Sequence, residues 1–70
     1  MNCIAKIFWH NLTQIRKAYG IAEDKLSREM GNSSLTYAVL RKQNKLPSAK
    51  DINQIIVRFN LSYHRLFMDQ

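Results

Sequence analysis

The charged side chains of this 70-residue chain are mainly cations. Eleven lysines and arginines stand against five acids, which gives a formal net charge of +6 at pH 7. The stretch from residue 41 to residue 50 contains Arg41, Lys42, Lys45 and Lys50 and no acid. This balance favours polyanions as partners, nucleic acid first and anionic lipid second. A charged cluster is also common on ordinary solvated surfaces, so the stretch alone leaves both interpretations open.

Residues typical of catalysis or metal binding are few and scattered. Cys3 and His10 are seven positions apart, and His64 lies near the other end of the chain. A zinc site needs three or four ligands, so these residues predict no metal site. The chain contains no glycine-rich phosphate loop and no recognisable pair of nucleophile and base. We therefore expect neither an enzyme nor a protein that needs a cofactor or a small-molecule ligand.

The composition is typical of one small domain covering residues 1–70. Hydrophobic residues make up 46% of the chain, which is enough for a core. The single cysteine rules out an internal disulfide and suits a reducing cytoplasm. The opening MNCIAKIFWH is interrupted by Lys6 and has no cleavage-site pattern, and no apolar run approaches the ~20 residues of a membrane span. We expect no membrane partner.

Apolar residues recur at three- and four-residue steps and predict an all-α domain with five helices around one core. Gly20 and the Gly31-Asn32 pair suit helix ends, and Asn60 can adopt the left-handed conformation that closes a helix. Ser33 is a good N-cap for the third helix. The first three helices cover about residues 3–19, 23–30 and 34–42, and the last two start after Ser48 and Ser62.

The first and third helices carry more apolar groups than one face can bury. In the first helix we expect Ile4 and Phe8 in the core, which leaves the adjacent Trp9 partly exposed at the edge of the core or at a partner contact. In the third helix, Tyr37 and Leu40 must serve the core. The remaining apolar residues of that helix then form an outer face, consisting of Leu35, Ala38 and Val39.

Short segments between residues 11 and 67 occur in a distinctive order: NLTQIRKAYGI, KLSREMGNSS, LPS, INQIIVRFNLS and RLF. Their joint spacing resembles the phage-repressor and Cro-like helix-turn-helix family. The resemblance implies a five-helix lambda-repressor-like fold with the helix-turn-helix unit at about residues 23–42. It implies that helix 3 enters the major groove while helix 2 lies across the phosphates. It also implies a small transcription regulator of a phage-type switch, acting in the cytoplasm of a bacterial host.

Carried over position by position, the resemblance implies two sets of contact residues. The base-facing positions are Ser33, Ser34, Leu35, Ala38, Val39 and Lys42. The phosphate-facing positions, which a partner protein would share, are Glu23, Asp24, Arg16, Lys17, Asn44 and Lys45.

Several of these positions depart from the family's pattern. Bases are read by side chains that donate or accept in pairs, such as Arg, Gln and Asn, whereas the polar groups that the third helix offers for reading bases are only serine, threonine and lysine. Glu23 and Asp24 stand where the family commonly starts helix 2 with Gln, and these acids would repel the DNA backbone. Arg41 stands where the family often has the Glu that pairs with the arginine at Arg16, so that ion pair cannot form.

Two partners remain open. The net charge and the family favour a double-stranded DNA operator, bound with salt-sensitive affinity. The apolar outer face of helix 3 favours a co-encoded repressor protein, because apolar stripes on polar domains often mark protein interfaces. In that alternative the chain is an antirepressor that masks the repressor's DNA-binding surface, with Glu23 and Asp24 imitating phosphate charge. Operator-binding members of the family are usually dimers, so a homodimer is a further expectation, although the sequence leaves the oligomeric state open.

Overall fold

The computed structural model describes residues 3–68, and this part of the chain forms five α-helices and no strand. For these residues the prediction of an all-α structure with five helices is confirmed, and the observed helix ends lie close to the predicted ones. None of these helices combines the length and the apolar character that crossing a bilayer requires. The helices are α1 (Ile4–Ala18), α2 (Glu23–Glu29), α3 (Thr36–Lys42), α4 (Ala49–Phe59) and α5 (Tyr63–Phe67).

Most of the predicted helix boundaries are made by the expected residues. Gly20 and Gly31 have φ values of +69° and +87°, which a side chain would make costly. Asn60 ends α4 in the left-handed conformation, with φ at 53° and ψ at 54°. The Ser48 hydroxyl accepts a hydrogen bond of 3.2 Å from the Asp51 backbone N–H and so caps the start of α4.

The prediction that Ser33 caps the third helix is wrong. α3 begins at Thr36 after a turn, and Leu35 occupies the N-cap position without a capping side chain. The hydroxyls of Ser33 and Thr36 share a hydrogen bond of 2.8 Å. The Ser33 carbonyl accepts a further bond of 2.6 Å from the hydroxyl of Ser27. These bonds hold Ser33 in the preceding turn, so the helix starts later than its sequence suggests.

The core brings all five helices together around the buried side of α1. The Asn11 amide donates to the carbonyls of Leu66 and Met68 at 3.0 and 2.8 Å, which fastens the end of α5 to α1. Both amide hydrogens are thus satisfied inside the protein. The buried apolar residues are Ala5, Phe8, Trp9, Leu12, Ile15, Leu26, Tyr37, Ile55, Phe59 and Leu66.

Two burial predictions for α1 are wrong. Trp9 is only 3% exposed, and its ring meets Phe8 edge-on at 5.0 Å and Tyr37 at 5.4 Å between centroids. The two adjacent aromatic residues are both buried because Phe8 packs against α5 while Trp9 packs against α3. Ile4, expected in the core, is the first residue of α1 and is 48% exposed.

Candidate recognition surface around α3

The outer side of α3 and the turn before it form one surface, which we call the α3 face: Ser33, Ser34, Leu35, Ala38, Val39 and Lys42. Leu35 is 68% exposed and Val39 is 47% exposed. The Val39 N–H donates to the Leu35 carbonyl at 3.0 Å, so the two side chains lie one helical turn apart on the same side. Ser33 and Lys42 are also exposed, whereas Ser34 and Ala38 are half-buried.

The inner side of α3 packs against the rest of the protein. Tyr37 is completely buried, and Leu40 packs against the core. Both positions were predicted to serve the core, and this is confirmed. Since the inner side already packs α3 against the protein, the exposed side chains of Leu35 and Val39 are not needed for that packing.

A buried hydrogen-bond network fixes α3 against α4. The Tyr37 hydroxyl donates to Asp51 Oδ2 at 2.9 Å, and the Asn32 amide donates to the same oxygen at 2.6 Å. Burial raises the pKa of the Tyr37 phenol far above its usual range, and the hydrogen bond to the Asp51 carboxylate adds to that shift. Nothing in the sequence spacing reveals these contacts, because Asp51 lies 14 positions from Tyr37 and 19 positions from Asn32.

The end of α3 is tied to the start of α2 by an ion pair. Arg41 Nε donates to Glu23 Oε2 at 2.8 Å, and Arg41 Nη2 donates to Glu23 Oε1 at 3.1 Å. The Glu23 carboxylate in turn raises the pKa of the Arg41 guanidinium. Glu23 is therefore not the free acid that the sequence suggested. Asp24 keeps an exposed carboxylate, 3.8 Å from Arg28.

The remaining expected phosphate-facing residues lie in two separate places. Arg16 is half-buried and donates from Nη1 to the Ile21 carbonyl at 2.9 Å, which closes the loop between α1 and α2, while Lys17 beside it is exposed. Asn44 and Lys45 are exposed in the loop after α3, where Asn44 has a φ of 55°. The structure therefore places Asn44 and Lys45 just after α3, close to Lys42 along the chain, and gives Arg16 a structural bond.

Residues 3–68 thus form five helices, of which α3 presents exposed apolar side chains flanked by serine and lysine. No protein-family model matches the chain, and no similar protein was found among curated proteins or solved structures. Within residues 3–68, no three His, Cys, Asp or Glu side chains come together in a way that could hold a metal ion.

Proposed function

We propose that this chain is a helix-turn-helix transcription regulator of a phage-type genetic switch that binds operator DNA through α3. In this proposal α2, the turn at Gly31 and α3 form the helix-turn-helix unit, at about residues 23–42. The observation that carries it is the exposure of the α3 face, while Tyr37 and Asp51 hold the helix rigidly from inside. A rigid helix with a free outer side is what insertion into a major groove needs.

The electrostatics of the surface support an approach to DNA. The formal net charge is +6, and Lys42 and Lys45 are exposed at the end of α3 and in the loop that follows. Glu23, the acid nearest to Arg41, has its charge compensated by that arginine. Lysines that neutralise phosphates release counterions, which provides affinity that falls steeply with salt.

Sequence readout in this proposal combines few polar groups with apolar contacts. The Ser33 hydroxyl and the Lys42 ammonium can bond to base edges, and Leu35 and Val39 can pack on thymine methyl groups. The outer side of α3 has no Arg, Asn or Gln, the side chains that read bases in pairs. We therefore propose modest base discrimination, assisted by the shape of the DNA.

A second function, capture of a co-encoded repressor, is favoured by one specific observation. The two most exposed large apolar side chains of the α3 region, Leu35 and Val39, lie together on the α3 face. Apolar neighbours with polar rims are typical of protein interfaces. In this alternative the α3 face docks on the DNA-binding surface of the repressor and blocks its access to the operator.

A gel-shift experiment separates the two functions. The probe is duplex DNA from beside the protein's own coding region, tested with this protein alone, with a co-encoded repressor alone and with both. A shift by this protein alone supports operator binding. Loss of the repressor's shift when this protein is added, without a shift by this protein alone, supports repressor capture. Absence of both effects contradicts both proposals.

A further inference from the structure

A cleft of about 220 Å³ lies between α1 and the end of α3. Its α1 side is made by Lys6, Trp9, His10 and Thr13, and its other side by Arg41 and Asn44. Lys6 and His10 occupy neighbouring turns of α1 and are exposed. Neither of them belongs to the contact residues that the sequence suggested.

The side chains lining this cleft are suited to an anion. Lys6 and Arg41 are cations, and Asn44 and Thr13 carry neutral groups that can donate hydrogen bonds. No carboxylate within residues 3–68 lines the cleft. Arg41 uses Nε and Nη2 for Glu23, and its Nη1 takes no part in that pair. The cleft therefore offers donors from both sides to one acceptor-rich group.

Trp9 holds the two sides of the cleft in a fixed position relative to each other. Its indole N–H donates to the Lys45 carbonyl at 2.8 Å, which fastens the loop after α3 to the middle of α1. The ring of Trp9 is buried below the cleft and packs against Tyr37. Asn44, next to Lys45 in this loop, is thereby placed opposite Lys6 of α1 before any ligand arrives.

We propose that this cleft binds a phosphate of the DNA backbone, with Lys6 as its principal cation. The inference rests on the proposed operator binding. Arg41 and Asn44 adjoin Lys42 of the α3 face, so a duplex lying along that face brings its backbone to the cleft. α1 thereby contributes to binding through charge, and this contribution is independent of base sequence.

The test compares three variants: Lys6→Ala, Lys6→Arg and Arg65→Ala. Arg65 is exposed on α5 outside the cleft, and its replacement removes the same charge. Fluorescence anisotropy with a labelled duplex measures the dissociation constant at a series of salt concentrations. Circular dichroism confirms that each variant keeps its helices.

For Lys6→Ala we expect the slope of log affinity against log salt to become shallower by about 0.9, the value for one lost phosphate contact. Lys6→Arg keeps the original slope, and Arg65→Ala changes it by much less than Lys6→Ala. If the unmodified protein binds DNA and Lys6→Ala keeps its slope, the cleft is not a phosphate site although operator binding stands. If the unmodified protein binds no duplex, operator binding fails and the inference fails with it.

Discussion

Arg41, in the last turn of α3, and Glu23, the first residue of α2, are joined by two hydrogen bonds of 2.8 and 3.1 Å. The pair connects the far ends of two neighbouring short helices and fixes the angle between them. Glu23 sits in the first turn of α2, where a carboxylate also meets the positive end of the helix dipole. The Glu23 side chain thus stabilises α2, orients α3 and compensates the charge of Arg41 beside the α3 face.

Glu23→Gln is expected to have opposite effects on stability and on DNA binding. The free energy of unfolding falls by about 0.5–1 kcal/mol, because the pair is partly exposed and screened by solvent. Affinity for duplex DNA at low salt rises, because the charge of Arg41 is no longer compensated. Urea denaturation and fluorescence anisotropy measure the two quantities.

Glu29→Gln is the matched control for this prediction. It removes the same unit of charge from α2, but its partner is Arg58 on α4 at 3.8 Å. We expect a smaller gain in DNA affinity than for Glu23→Gln. Equal gains would show that net charge alone matters and that the Arg41–Glu23 pair has no local effect on binding.

Tyr37→Phe removes the hydroxyl that bonds Asp51 inside the protein. Since a hydrogen bond to a charged group contributes about 1.5–3 kcal/mol, we expect the free energy of unfolding to fall by about that amount. Tyr63→Phe is the control, because its bond of 2.6 Å to Asn53 is exposed and its loss changes stability by less than about 0.5 kcal/mol. Similar losses for the two variants in urea denaturation would contradict a special role for the buried bond.

The free energy of unfolding is expected to fall in the alkaline pH range because of Tyr37. Burial raises the pKa of this phenol above its usual value of 10.0, so the unfolded chain loses the proton at a lower pH than the folded protein. The stabilisation is therefore complete below about pH 10 and is lost as the pH rises above it. Between about pH 9 and about pH 11, the urea midpoint should fall less in Tyr37→Phe than in the unmodified protein. Equal falls would contradict the raised pKa.

Trp9→Phe is expected to loosen the loop after α3. Phenylalanine keeps an aromatic ring in the core but cannot donate to the Lys45 carbonyl, so we expect a loss of about 2 kcal/mol in unfolding free energy. Hydrogen exchange should accelerate most at the Lys45 amide, which bonds the Leu40 carbonyl at 2.9 Å. The Gly31 amide, bonded to the Arg28 carbonyl, is the internal reference. Unchanged protection at Lys45 would show that the indole does not anchor the loop.

Local patterns predicted the helices and the exposed part of the candidate site. The helical period located all five elements, and Asn60 and Ser48 mark helix ends for reasons that act within a few residues. The exposure of Leu35 and Val39 followed from the same period, because Tyr37 and Leu40 already filled the inner side of α3. The DNA- or repressor-binding roles of these residues stay predictions.

Contacts between distant residues could not be predicted in the same way. The partners Arg41 and Glu23 are 18 positions apart, and their pairing depends on how α3 packs against α2. The burial of Trp9 depends on α3 covering a second side of α1. Ser33 has the right side chain for an N-cap, but the hydroxyl of Ser27 holds it in the turn. The pattern of single helices contains none of these contacts, because each depends on how separate segments of the chain come together.

The central claim, that the α3 face is the binding surface, is tested most directly by comparing Val39→Asp with Val57→Asp. Val57 is 80% exposed on α4, outside the α3 face, so the two variants add the same charge at exposed valines on different helices. Affinity is measured for the ligand that the gel shift identifies, the operator duplex or the repressor. We predict that Val39→Asp weakens binding at least about tenfold, whereas Val57→Asp changes it less than about twofold. Equal weakening by both variants, or full affinity in Val39→Asp, would contradict the claim.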